Sequence, residues 1–244
     1  MRAKALIIIL AFFIASLTAC IIKSLHPFYS DNDIVFDESI IGTFMDQDSA
    51  IWTFSQTSYA EEIFGPQKKH SSYRVTFEDD HDSSVFIVHL FELNGLKYFD
   101  FLPVFAEGET LKDIHMIPVH SVARVKFWGK NNFSFIWYSQ EWLDDLSKNK
   151  KLKIDHENVK TGLSKYSETT VLTAETKDLQ KFIIKYGSNL DLLRNLEISK
   201  DICETEDIFC CINKIIDSDK FKNEQGKKLD DVIFVNMRRI DKIQ

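Results

Sequence analysis

Between residues 39 and 139 the chain is a succession of β-type segments too closely spaced to admit crossover helices. They read "SIIGTFMD", "SAIWTFSQ", "SYRVTFED", "SSVFIVHLFEL", "KYFDFLPV", "SVARVKFWG" and "FSFIWYS". Each is rich in Phe, Ile, Val, Trp, Tyr and Thr, and polar gaps separate most of them. A parallel pair needs a connection of a dozen or more residues, whereas an antiparallel pair needs only a short turn. The spacing therefore predicts an antiparallel meander over 34–138. Several segments alternate: Tyr73, Val75 and Phe77 fall on one face, with Arg74 and Thr76 on the other. Asn94-Gly95 between apolar runs suits a type I′ hairpin, whose two central residues need positive φ. Gly129 to Asn132 reads as a looser turn. Residues 58–70 and 104–118 are longer gaps, either short helices or loops covering one end of the sheet.

After residue 139 the period changes. "SQEWLDDLSKNK" has Ser139 as an N-cap, acids early and lysines late, as the helix dipole favours. "LTAETKDLQKFIIKYG" places Leu179, Phe182, Ile183 and Tyr186 on one helical stripe, with Thr176 as N-cap and Gly187 at the stop. "NLDLLRNL" and "EDIFCCINKIID" predict two shorter amphipathic helices. "DDVIFVNMRRI" reads as a last strand or a helix. The expected fold class is α+β: an antiparallel β-meander, forming a half or full barrel, followed by C-terminal helices. In domain terms this gives a β-domain at 34–138 and a mainly helical part at 139–244, packed on the sheet.

The first twenty residues, "MRAKALIIILAFFIASLTAC", form an address label. Arg2 and Lys4 make a basic head, Ala5 to Leu17 is apolar, and small residues precede Cys20. The apolar run is short of the roughly 20 residues that span a bilayer. Leu17-Thr18-Ala19-Cys20 resembles the lipobox of bacterial lipoproteins. That resemblance implies cleavage of a signal peptide at 1–19, lipid on Cys20 and a short tether over 20–33. It implies attachment to the cell membrane through lipid. With Ile21 rather than aspartate after the cysteine, it implies the outer membrane if the host is Gram-negative. "SLHPFYSDNDIVFDESIIGTF", "FDFLP", "PVHSVARV" and "VLTAETKDLQKF" resemble a loosely defined group of bacterial lipoproteins without assigned function. Gly42-Thr43-Phe44, opening the meander, resembles the Gly-x-Trp opening of lipocalin-type barrels, with Phe44 where the pattern has Trp. That likeness implies a lipocalin-like half or full barrel and, if a cavity exists, a small apolar ligand.

Composition narrows the function classes. The chain has 244 residues with 30 basic and 37 acidic side chains, a formal charge of −7. Loss of Arg2 and Lys4 with the signal leaves 28 basic against 37 acidic, or −9. An acidic protein is a poor partner for nucleic acid, so none is expected. "KNKKLK" (148–153), the densest basic cluster, reads as a solvated helix end.

Three cysteines besides Cys20 lie together: Cys203, Cys210 and Cys211. An oxidising envelope permits one disulfide among them, with one thiol left over. On a continuous helix Cys203 and Cys210 would stand about 10 Å apart, so a bridge between them needs a break in "ETEDIF". The alternative is three thiols packed as small hydrophobes. Metal ligation by this trio lacks CxxC pairing and a nearby His.

No other constellation carries chemistry. His81 and His89 would lie about 26 Å apart on one strand, and His115 and His120 flank Pro118 without a third ligand, so no metal is expected. His120 and Ser121, adjacent on a strand, face opposite sides and cannot form a nucleophile–base pair. "FEDDHD" (77–82) reads as a solvated hairpin tip rather than a calcium loop. No nucleotide or hydrolase motif is present, and no cofactor is expected. Trp52, Phe54, Phe86, Phe99, Phe101, Phe127 and Trp137 fill a core or line a cavity, the core being the commoner use. The expected role is non-enzymatic binding or structure at the membrane surface, with an apolar ligand or an envelope protein as partner. The alternative is an envelope hydrolase or thiol enzyme.

Overall fold

A computed structural model of the chain describes residues 21–57, 72–80, 82–104, 115–160, 168–187, 208–217 and 232–241. Eight antiparallel strands close into a barrel. They are β2 (Gly42–Asp46), β3 (Ile51–Thr57), β4 (Ser72–Glu78), β5 (Ser83–Leu93), β6 (Leu96–Pro103), β7 (Ser121–Phe127), β8 (Asn132–Tyr138) and β11 (Val232–Arg239). Seven follow one another around the wall. The eighth, β11, comes from the end of the chain and seals the gap between β8 and β2. The barrel is therefore not confined to 34–138: the tail read as a strand or a helix is a strand, and the sheet requires it.

Three further strands, β1 (Lys23–Ser24), β9 (His156–Lys160) and β10 (Glu168–Leu172), form a small sheet in the order β1-β10-β9. The described part of 139–244 thus contains three strands beside three helices, α1 (Gln140–Lys148), α2 (Thr176–Tyr186) and α3 (Ile208–Asp217). The segment "NLDLLRNL" lies outside the described residues, as do 58–71 and 105–114.

The side-chain period of two sorts the barrel residues onto two faces. Phe133, Phe135 and Trp137 of β8 point in; Ile136 and Tyr138 point out under the helices. A strand buried on both faces reads as a continuous apolar run, which explains "FSFIWY". The outer cluster joins Ile136 and Tyr138 to Trp142 and Leu143 of α1, Leu179, Phe182 and Ile183 of α2, and Ile212 of α3.

The turns follow their residues. Asn94 and Gly95 both have positive φ, 51° and 75°. Ser139 caps α1, its Oγ accepting from the Trp142 amide at 3.2 Å. Thr176 does not cap α2. It is the first helical residue, after Glu175, and its hydroxyl donates to the Pro27 carbonyl at 2.8 Å. A tertiary acceptor has taken the group that a cap would use. Gly187 ends α2 where the Tyr138 ring passes: a Cβ there would lie 2.7 Å from Tyr138 Oη.

Residues 21–41 run as a strap along the outer wall from one barrel end to the other. At the upper end, where β8 stops and β7 starts, Ile21 bridges to Ser139 and the Ile22 amide donates to Tyr138 at 2.9 Å. Ser24 and His120 exchange backbone hydrogen bonds of 2.9 and 2.8 Å. Ile22 and Phe28 are fully buried. The strap then passes β6 and β5, where Ile34 bridges Phe91, and turns in at the lower end as a single 3-10 turn, Glu38–Ile40. The segment expected to be a short tether is paired with the wall from Ile21 on.

Candidate functional site

Three places gather the chemistry: the barrel interior, the lower-end closure and a polar cluster under the strap.

The interior is aromatic. Nine buried rings belong to it: Phe44, Trp52, Phe54, Tyr73, Phe99, Phe101, Phe133, Phe135 and Trp137. Rings from opposite walls touch. Phe54 on β3 meets Phe99 on β6 with centroids 6.1 Å apart, and Trp52 on β3 meets Phe135 on β8 at 5.7 Å. β3 and β6 are three strands apart around the wall, as are β3 and β8, so these contacts cross the lumen. An eight-stranded barrel is just wide enough for its side chains to fill it, and large rings do so here. Of the seven aromatics singled out from sequence, Trp52, Phe54, Phe99, Phe101 and Trp137 are in this cluster, and Phe86 and Phe127 pack against it. Phe44, Phe133 and Phe135 were not singled out, although the alternation in "FSFIWY" already put Phe133 and Phe135 on the face of Trp137. At the upper end Trp52 Nε1 donates to buried Asp46 Oδ2 at 2.9 Å. Trp137 Nε1 is buried without a hydrogen-bond partner.

The lower end is closed by the strap. Ile40 is 1% exposed within the interior cluster, and Phe36 stacks on Tyr73 at 5.0 Å. Tyr73 Oη accepts from the Asp37 amide and donates to the Asp37 carbonyl. Burial comes first in pushing its phenol up to about 12, and the Asp37 charge adds to this against the amide hydrogen bond. The Arg239 guanidinium lies 4.5 Å over the Phe44 ring and donates to the carbonyls of Ile41 and Ser39 at 2.9 and 2.6 Å. This arrangement explains the glycine of "GTF". Gly42 has φ 145°, and a Cβ there would fall 1.9 Å from Arg239 Nη1. Only a residue without a side chain lets the guanidinium reach both carbonyls.

The third place lies outside the barrel. Asp100 on β6 faces out and is fully buried beneath the strap. Its Oδ2 accepts from the Phe28 amide at 2.9 Å, and its Oδ1 is 2.7 Å from His120 Nδ1. An ionised carboxylate can only accept, so in this pair the donor is His120 Nδ1. On the neighbouring strand His89 is opposite Asp100. Tyr29 of the strap stacks on His89 at 4.3 Å, with its hydroxyl 3.4 Å from Nε2. Burial, then the charges of Asp100 and Asp31, push the Tyr29 phenol well above the usual tyrosine range. Burial likewise raises Tyr98 and Tyr138. Asp33, close by, moves the other way. Burial pushes its carboxyl up, but hydrogen bonds from the Ser30 hydroxyl and amide and from Gln180 outweigh it and hold the carboxyl below its ordinary value.

The remaining residues are scattered. Cys20, Cys203 and His81 lie outside the described residues. Cys210 is exposed on α3, and Cys211 belongs to the same helix. His115 is exposed, before β7. In the β4–β5 turn the Asp79 and Asp82 carboxylates accept from the amides of Asp82 and Ser83, so they shape the hairpin tip. Among the described residues no group of three or more His, Cys, Asp or Glu could hold a metal ion, and no helix is long and apolar enough to cross a membrane.

The fold and these three places define a closed antiparallel barrel that is ring-filled inside and strapped outside. Comparison of the chain with family models, with curated proteins and with solved structures returns no match.

Proposed function

We propose that this chain is a lipid-anchored envelope protein with a non-enzymatic binding or structural role at the membrane surface. The anchor rests on one observation, the basic head, apolar run and Leu-Thr-Ala-Cys order of residues 1–20. Cell membrane attachment through Cys20 follows from it, at the outer membrane if the host is Gram-negative. The barrel we read as lipocalin-like, because Gly42-x-Phe44 opens a seven-stranded antiparallel meander that an eighth strand closes into a barrel. The ring contacts across the lumen favour an interaction module over a carrier of a small apolar ligand. A carrier needs an open interior, and Phe54–Phe99 and Trp52–Phe135 occupy this one. The partner we propose is therefore another envelope component, met by the outer surface.

The hydrolase reading has one observation on its side, the buried Asp100 holding His120 at 2.7 Å. A nucleophile–base pair also needs a hydroxyl or thiol on the other imidazole nitrogen. Among the described residues none hydrogen-bonds to His120 Nε2.

The test is fractionation of cells expressing the wild type and Cys20→Ala, with mass spectrometry of the mature N-terminus. A diacylglyceryl mass on Cys20, and loss of membrane association in the variant, are expected. An unmodified chain beginning at Met1 overturns the proposal.

A further inference from the structure

We infer that the upper barrel end lies directly against the lipid surface, with Leu25, Met116, Ile117 and Val159 at headgroup depth. The inference rests on the lipid-anchor reading of Cys20 and adds an orientation to it.

The first argument is the missing slack. A flexible tether of n residues separates its ends by about 5–6 Å times the square root of n, which lets a domain float clear of the bilayer. Here the chain is committed to the fold one residue after Cys20. Ile21 bridges Ser139, Ile22 is fully buried and bonded to Tyr138, and Ser24 is paired with His120. One residue spans at most about 3.6 Å. A lipid on Cys20 places that residue at the boundary between headgroups and acyl chains, so the barrel end at Ile21 must enter the headgroup layer.

The second argument is where apolar side chains are left in the open. Six large hydrophobic residues are exposed among the described residues. Four of them surround the start of the strap. Leu25 is 44% exposed and belongs to it. Met116 and Ile117, 44% and 76% exposed, lie in the segment leading to His120, the partner of Ser24. Val159, 44% exposed, sits on β9, two strands across the small sheet from Lys23. By strand spacing and residue rise each is within about 15 Å of Ser24. Grouped exposed apolar residues mark a contact surface, and the anchor at the same end names the lipid surface as the partner. Of the other two, Ile240 follows β11 at the lower end and Ile184 is on α2, so among the described residues no comparable group forms near Lys130.

The experiment uses the mature lipidated protein in phosphatidylethanolamine–phosphatidylglycerol vesicles. A benzophenone side chain is placed at Ile117 or at Lys130, and lipid adducts are counted after irradiation. Several-fold more adducts are expected at position 117. A 20-residue Gly/Ser insertion between Cys20 and Ile21 is expected to bring that yield down to the level at position 130. Equal yields at the two positions, in protein that carries the lipid mass and stays on the vesicles, overturn the orientation and leave the anchor standing. Absence of the lipid mass from Cys20 overturns both.

Discussion

The inside and the outside of the barrel wall are both buried, yet they are built differently. Inside, the cluster is wholly apolar and rings run through it: Phe44, Phe54, Phe99 and Phe133 meet at centroid distances of 4.9 to 6.1 Å. Outside, apolar contacts are interleaved with buried polar links. Asp100 binds Phe28 and His120, and Gln180 binds the strap at Phe28 and Asp33. Asn236 on β11 accepts from Ser134 and donates to Asn213 and to the Phe209 carbonyl of α3. Apolar packing is non-directional and stabilises whatever fills the lumen. Hydrogen bonds are directional, so they decide where each attached segment lies. This wall is held together from within, and the segments attached to it are fixed from without at specified positions.

Four substitutions and one titration test that contrast. Phe99→Ala removes a fully buried ring that touches Phe54, Phe101, Phe133 and Phe135. Large-to-small changes of this kind cost about 3–5 kcal/mol, so denaturant melts should show a loss of that size for the whole fold. Gly42→Ala at the lower end should cost about 3 kcal/mol, from a side chain forced to positive φ and from displacement of Arg239. Its thermal midpoint should fall without a change in the helical signal of α2.

Outside, Asp100→Ala strands the Phe28 amide and His120 and should cost about 1–3 kcal/mol. Hydrogen exchange should quicken at residues 24–29 while β3 and β8 stay protected. Equal quickening in both regions would refute the division between wall and strap.

Raised pH should act on both faces. Tyr29, Tyr73, Tyr98 and Tyr138 hold their phenols neutral in the folded state, chiefly through burial. The stability they contribute is complete below the ordinary tyrosine value of about 10 and is lost as pH rises through their raised values. The thermal midpoint should therefore fall steeply above pH 10, Tyr73 contributing up to about pH 12. The smallest effect is expected of Asp33→Asn, under about 1 kcal/mol at pH 7 for this partly exposed group. Because the Asp33 carboxyl is held below its ordinary value, the stability it contributes is present above about pH 4. The difference between wild type and variant should shrink as pH falls below that point.

Much of the wall was legible in advance because its signals are local. Alternation in "SYRVTF" and "FSFIWY", the Asn94-Gly95 turn and the Ser139 cap each act within a few residues. β9 and β10 escaped notice because "HENVK" and "ETTVL" are short, and β9 is largely exposed, so neither carries an apolar period. The Asp100–His120 pair could not be found either. Its members are 20 residues apart, and neither has a motif that points to the other.

By itself the sequence determined the antiparallel character of residues 39–138, the stripe of α2, the acidic balance and the order of residues 1–20 that resembles a lipoprotein signal. Each follows from residue type and near-neighbour spacing. The tertiary structure decided that the sheet closes, since the partner of β2 and β8 arrives from Val232–Arg239, almost 200 residues along the chain from β2. It also decided that Thr176 serves the strap rather than its helix, and that Gly42 gives room to Arg239. Those outcomes depend on which distant groups compete for the same space and the same hydrogen bond, and no local window of sequence contains both competitors.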